Sequence, residues 1–162
     1  MKTSVYLTNL AKYNQGELIG KWLNLPQTPE VIENEIRDVL GGDEEYFITD
    51  YEAPFNIEEY DNLHELNEFV ERISVLDEYD QQKLFHLMNV HGNSRDDALS
   101  RFDDVIYYPN MILQDVAEEF VEEELFGGVT ENLKDYIDYE KLGSDLGIDG
   151  YCETKKGTFW CQ

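Results

Sequence analysis

The chain has 162 residues, with 36 acidic and 12 basic side chains, a formal net charge of −24, and 41% hydrophobic and 13% aromatic residues. This length and apolar content suffice for a buried core, and the aromatic content excludes a disordered acidic tail. The charge disfavours binding to nucleic acid or to anionic membranes, and favours basic surfaces or cations as partners.

The first third of the chain predicts a small α+β domain, residues 1–61. Strands are predicted at residues 4–10, 18–25 and 46–51. Between the last two, Thr28 and Pro29 are typical of the start of a helix, which Gly41 and Gly42 would end. Pro54 would stop the third strand.

Residues 62–103 predict a helical middle domain. Asn62, Asp77 and Ser94 are candidate N-caps, because each is followed by apolar residues at helical spacing or by an acid three positions later.

Residues 104–162 predict a C-terminal α+β domain. A strand at residues 105–108 precedes an amphipathic helix, which Gly127 and Gly128 would end. Thr130 would then start a helix that carries Leu133, Tyr136 and Ile137. Further helix to residue 146 and a hairpin at residues 151–161 complete an α+β fold with a small antiparallel sheet at each end.

The acidic residues are concentrated in two blocks. Residues 43–61, the N-terminal acid block, hold eight acids and no base. Residues 104–140, the C-terminal acid block, hold eleven acids and one base, so the blocks carry 18 of the 24 net charges. A surface needed only for solubility predicts no such blocks, although a highly charged, solvated face is the simplest alternative.

No motif for catalysis or for a cofactor is recognisable. His64 and Glu65 begin like a zinc-protease helix, but Glu68 stands where the second histidine belongs. Cys152 and Cys161 flank a predicted hairpin turn and are expected to be free thiols. Because the nearest histidine in sequence is His91, no metal site is expected.

The amount of charge matches that of a short DNA duplex. Duplex DNA carries one charge per ~1.7 Å of axis, so about 24 charges correspond to roughly 12 base pairs, some 40 Å. A compact chain of this length has a diameter near ~40 Å, and acids three or four residues apart on a helix lie ~5–6 Å apart. Imitation of DNA is therefore geometrically permitted.

Several stretches resemble the ArdA family of antirestriction proteins. They are YLTNLAKYNQGELIGKW (residues 6–22), EEYFITDYEAPFNIEEY (44–60), LHELN (63–67) and ENLKDYIDYEKLGSDL (131–146). The resemblance implies an elongated three-part α+β protein, encoded on mobile elements, that forms a homodimer through its C-terminal part. It also implies a non-catalytic B-form DNA mimic that occupies the DNA groove of Type I restriction–modification enzymes. The family's antirestriction motif would correspond to residues 125–139.

On this interpretation the acids of the two blocks bind the enzyme. The candidate residues are Asp43, Glu44, Glu45, Asp50, Glu52, Glu58, Glu59, Asp61, Asp115, Glu118, Glu119, Glu122, Glu123, Glu131, Asp135 and Asp138. The chain itself would bind no nucleic acid and no membrane. Without an apolar leader, it is expected to be cytoplasmic.

The candidate homodimer interface lies in the near-neutral C-terminal part, at Tyr107, Tyr108, Phe159 and Trp160. The alternative for each aromatic side chain is burial in the core. The alternative function is an acidic adaptor that binds another basic protein, such as a histone-like or regulatory DNA-binding protein, and that needs only one acidic patch.

Overall fold

A computed structural model describes residues 2–161, which form two three-stranded antiparallel sheets connected by helices. The strands are β1 (Thr3–Asn9), β2 (Gly20–Leu25), β3 (Tyr46–Glu52), β4 (Ile106–Pro109), β5 (Tyr151–Thr154) and β6 (Gly157–Trp160). The helices are α1 (Leu10–Asn14), α2 (Pro29–Leu40), α3 (Leu63–Ser74), α4 (Glu78–Asn89), α5 (Arg95–Arg101), α6 (Leu113–Glu122), α7 (Glu131–Lys134) and α8 (Tyr139–Ile148), with a 3-10 turn at Phe102–Asp104. The predicted α+β class, with a helical middle, is confirmed.

The N-terminal sheet has the order β2-β1-β3. The central strand β1 is buried along most of its length, on both faces, which explains its weak alternation of polar and apolar residues. The predicted start and end of α2 are confirmed: the Thr28 side chain accepts a hydrogen bond from the Val31 N–H, and Gly41 ends the helix with a left-handed φ of 56°.

The three predicted N-caps of the middle segment are confirmed. Asn62 accepts from the backbone N–H groups of His64 and Glu65, Asp77 from that of Asp80, and Ser94 from that of Asp97. Each cap satisfies an N–H that has no partner within its own helix.

The C-terminal sheet has the order β4-β6-β5, and β5 and β6 form the predicted hairpin. The helix predicted to carry Leu133, Tyr136 and Ile137 is wrong in extent, because α7 ends at Lys134. The Thr130 side chain makes no capping bond to it. Residues 135–138 are not helical, and the Asp138 side chain accepts a hydrogen bond from the Lys141 N–H at the start of α8.

The buried side chains form two clusters. The larger runs from Val5 in β1 through α3 and α4 to Phe159 in β6, and so crosses both predicted domain boundaries. The smaller comprises Val116, Ala117 and Phe120 of α6 with Leu146 of α8. The division into three domains remains a prediction, but α6 and α8 clearly share a local core.

Aromatic stacking joins α4 to the C-terminal sheet. The Phe159 ring lies between the rings of His86 and Tyr107, with centroid distances of 4.1 and 4.3 Å and nearly parallel planes. Burial, followed by the charge of His91, lowers the pKa of His86 to about 4. The His86 imidazole is therefore neutral at pH 7.

Within residues 2–161, no helix combines the length and the apolar character needed to cross a membrane.

Candidate partner-binding surface

Helix α6 separates its apolar and acidic residues onto opposite faces. Val116, Ala117, Phe120 and Val121 are buried, as predicted from their helical spacing. At the N-terminus, the Asp115 carboxylate accepts a hydrogen bond of 3.0 Å from the Ile112 N–H. An acid at this end is favourable, since the helix dipole is positive there.

The opposite face of α6 carries a continuous row of carboxylates. Together with Met111, they line a shallow depression of about 440 Å³. We call this row the α6 ridge; it consists of Asp115, Glu118, Glu119, Glu122 and Glu123. Like charges at this spacing repel each other by a few tenths of a kcal/mol per pair. Glu122 and Glu123 also lie at the negative end of the helix dipole, so helix stability does not explain the row.

Bases in the described part of the chain compensate the α6 ridge only weakly, since Lys134 interacts with Glu122 without forming an ion pair with it. None of its carboxylates forms an ion pair there. Lys134 instead binds Glu131, with 2.7 Å between Nζ and Oε1. This hydrogen bond, and then the charges of Glu131 and Glu122, raise the pKa of Lys134.

Glu119 is only partly exposed, and its Oε2 atom is buried. Oε2 finds no hydrogen-bond donor among residues 2–161. A buried acceptor without a donor costs about 1–3 kcal/mol.

Tyr108 lies next to the α6 ridge, and the charges of two ridge residues contribute to the shift of its pKa. Burial, then the neighbouring Tyr151, and then the charges of Glu119 and Glu123 raise the pKa of Tyr108 to about 12. Since burial and the neighbouring negative charges both disfavour a phenolate, the Tyr108 hydroxyl keeps its proton.

In the N-terminal acid block, by contrast, several carboxylates bind groups of the same chain. Asp61 pairs with Arg95, with 3.1 Å between Oδ1 and Nη1, and both side chains are largely buried. Glu52 pairs with Lys2, and the Asp43 carboxylate accepts from the Asn9 side-chain amide at 2.9 Å.

The other acids of this block lie on or near β3. The Glu58 carboxylate accepts from the Asn56 side-chain amide at 2.6 Å, and that of Asp50 accepts from the Tyr51 N–H at 2.8 Å. Glu44, Glu45 and Glu59 are exposed. The block is thus a mixture of structural and solvent-facing carboxylates.

The remaining predicted acids lie beyond α6. Glu131 binds Lys134, and Asp138 caps α8 by accepting from the Lys141 N–H at 3.0 Å. Asp135 is exposed just after α7.

Two of the four residues predicted at a dimer interface belong to the core of the single chain. Tyr107 and Phe159 are only 7% and 2% exposed, because both rings face α4. Tyr108 and Trp160 are half-buried.

Exposed large apolar side chains occur along much of the chain, and five of them lie in and around α7 and α8. They are Leu125, Phe126, Leu133, Tyr136 and Ile148. Most of them could have been found in the sequence, because they are apolar residues within an acidic stretch in which Gly127 and Gly128 interrupt the helical spacing.

A close contact between backbones fixes α6 against α8. A Cβ atom on Gly143 would lie 2.8–2.9 Å from the backbone atoms of Leu113 and Gln114. Only glycine allows this approach, so Gly143 positions the first turn of α6 and with it the α6 ridge.

The fold and this surface define a small acidic α+β protein with a row of unpaired carboxylates suited to cationic groups. The family model for antirestriction protein (ArdA) matches residues 5–160, which is nearly the whole chain. The chain therefore belongs to the ArdA antirestriction family, and the resemblance found in the sequence is confirmed. The family's function is antirestriction, and it is not a family of known enzymes. A search of curated proteins found no match.

Proposed function

We propose that this chain inhibits Type I restriction–modification enzymes by occupying their DNA-binding groove with carboxylates in place of DNA phosphates. The α6 ridge carries the proposal, because its carboxylates share one helix face and have no paired base among the described residues. Lysine and arginine side chains that normally hold phosphates would bind these carboxylates instead. Inhibition is then competitive and needs no catalytic group.

The spacing of charge along α6 supports this role. From Asp115 to Glu123 the ridge extends about 12 Å along the helix axis, or about one carboxylate per 2.5 Å. B-form DNA carries one phosphate per ~1.7 Å when both strands are counted, and one per ~3.4 Å on each strand. The charge density of the ridge lies between these two values, so lysine and arginine side chains spaced to bind phosphates can also bind its carboxylates.

A mimic of this kind does not need to imitate a base sequence. Phosphate contacts position a protein on DNA, whereas contacts to base edges specify the sequence. One carboxylate surface would therefore inhibit enzymes that have different target sequences. The exposed acids of the N-terminal acid block would extend the same surface.

We also propose that the chain forms a homodimer through its C-terminal part. The five exposed apolar side chains around α7 and α8 support this, because a dimer interface in this part of the chain would remove them from water. Tyr108 and Trp160 remain candidates at its edge. A strictly monomeric species in sedimentation at micromolar concentration would contradict the proposal.

A displacement titration tests the proposed function. A short labelled duplex is bound to the methyltransferase core of a Type I enzyme, and this protein is added at low and at moderate salt. We expect near-stoichiometric release of the duplex, with an affinity that falls steeply as salt rises. A duplex that stays bound at large excess of the protein would overturn the proposal.

The acidic adaptor is a second candidate, because the α6 ridge gathers five carboxylates on one helix face and an adaptor needs only one patch. An adaptor would bind a basic protein without releasing DNA from a restriction enzyme. The same titration therefore separates the two functions.

A further inference from the structure

The fold brings together three side chains that are far apart in the sequence. His86 lies in α4, His91 follows the end of that helix, and Cys161 follows β6. One potential ligand atom from each of them lies within 4.8 Å of the other two. None of the three side chains is among the acids assigned to partner binding, and nothing in the proposed function uses the cluster.

Core packing holds two of these side chains in place. The His86 ring stacks on Phe159 at 4.1 Å. Phe159 and Cys161 are two residues apart at the end of β6, so their side chains point to the same side of the sheet. The rings of His86 and His91 are 5.1 Å apart and steeply inclined. The site is therefore largely assembled by the fold itself.

His86 also has an unsatisfied nitrogen. The residue is 4% exposed, and its Nε2 atom is buried without a hydrogen-bond partner among residues 2–161. A metal ion is one group that would satisfy a neutral imidazole nitrogen. His91 is exposed, and thus leaves a path by which an ion can enter.

The donor set indicates which metal the cluster suits. Two imidazole nitrogens and one thiolate are ligands of zinc, whereas magnesium and calcium take oxygen ligands. With Zn–N and Zn–S bonds of about 2.1 and 2.3 Å, tetrahedral ligand atoms lie about 3.3–3.6 Å apart. The ligand atoms now lie within 4.8 Å of one another. Small side-chain rotations of His91 and Cys161 would bring them to the distances that zinc requires.

We propose that His86, His91 and Cys161 bind one Zn²⁺ ion, with a water molecule at the fourth position. The ion links the segment that leaves α4 to the end of the C-terminal sheet. It acts as a structural clip between two parts of the chain, independently of the acidic surfaces. The proposal makes Cys161 a ligand and leaves Cys152, the other cysteine, outside the site.

The test must separate this site from the many carboxylates that bind divalent ions loosely. Cobalt(II) serves as the probe, because a thiolate ligand gives a charge-transfer band in the near ultraviolet and carboxylates do not. The metal-stripped full chain is titrated with Co²⁺ alone. We expect the band to saturate at one equivalent, and Zn²⁺ to displace the cobalt.

Matched variants locate the ligands. Cys161→Ser should abolish the band, and His91→Ala should weaken Co²⁺ binding by about tenfold or more. Cys152→Ser and His64→Ala are controls and should leave both the band and the affinity unchanged. All four changes avoid the stacked His86 ring, so the fold should be retained.

Thermal unfolding gives a second measurement. Zn²⁺ should raise the Tm of the unaltered chain and of Cys152→Ser, but not that of Cys161→Ser, because an ion bound only to the native state stabilises it. Co²⁺ binding without a charge-transfer band would overturn the proposal. So would a band that Cys152→Ser removes and Cys161→Ser leaves intact.

Discussion

The two acid blocks have similar compositions but are used differently by the fold. In the N-terminal acid block, Asp43, Glu52 and Asp61 each bind a donor from another part of the chain. In the C-terminal acid block, the α6 ridge binds no base within residues 2–161. Net charge alone therefore does not identify a binding surface.

This difference shows that a binding surface is better identified by carboxylates that have no donor or base within their own chain than by the number of acids in a segment. A carboxylate that already has a donor must lose it before it can bind a partner, whereas an uncompensated one gains from any cation that approaches. Four predictions test this contrast and the structure of the helix that carries the ridge, from the largest expected effect to the smallest.

The first prediction compares neutralisation of three exposed acids in each block. Glu118, Glu122 and Glu123 changed together to Gln should weaken displacement of DNA on the order of a hundredfold, because each lost ion pair contributes up to about 1 kcal/mol. The matched variant changes three other exposed acids to Gln. They are Glu44, Glu45 and Glu59.

The matched variant removes the same charge but should weaken displacement only about tenfold or less, since its acids do not form a single row. Equal losses in the two variants would mean that net charge, and not the ridge, decides inhibition. Glu119→Gln alone should have a small effect. If it abolished inhibition, a discrete site would replace the distributed one.

The second prediction concerns the support of the α6 ridge. Gly143→Ala should lower the free energy of unfolding by about 1–3 kcal/mol, because the added methyl group would overlap the backbone of α6. Gly147→Ala is the control, since its Cβ would approach only a flexible side-chain end of Leu113, at 3.3 Å. Chemical denaturation of both variants measures the difference, and equal stabilities would contradict the close approach.

The third prediction concerns the structural acids of the N-terminal acid block. Asp61→Asn should lower the free energy of unfolding by about 2 kcal/mol, because it leaves the guanidinium of Arg95 largely buried without its counter-ion. Glu52→Gln, at an exposed pair that water screens, should leave the free energy of unfolding nearly unchanged. Urea unfolding gives both values. A stability change at Glu52 as large as that at Asp61 would remove the distinction between the two pairs.

The fourth prediction concerns the end of α6. Glu124 has a left-handed φ of 59°, a conformation that costs a non-glycine residue about 1 kcal/mol or more. Glu124→Gly should therefore stabilise the fold by about 1 kcal/mol. Glu124→Gln keeps the strain and removes the same charge, so a thermal melt in which both variants gain equally would assign the effect to charge instead.

Local signals in the sequence predicted most of the secondary structure. Thr28, Asn62, Asp77 and Ser94 cap the predicted helices, because capping depends on side chains within three residues. The extent of α7 was mispredicted at its C-terminal end, because the chain turns after Lys134 and a new helix begins at Tyr139, capped by Asp138.

Long-range features could not be predicted in the same way. The acid blocks were visible in the sequence, but the pairing of Asp61 with Arg95 depends on the tertiary fold. Burial of Tyr107 and Phe159 depends on how α4 packs against the C-terminal sheet. The same packing brings His86 to Cys161, which no spacing rule could indicate.

The most direct test of the central claim is photocrosslinking from Gln114, an exposed neutral residue of α6 next to the ridge. A photoreactive amino acid at this position keeps every carboxylate in place. With a Type I methyltransferase core, we predict a crosslink to the DNA-binding groove that disappears when saturating duplex is present. A crosslink that persists with saturating duplex, or that maps outside the groove, would contradict the claim that α6 takes the place of DNA.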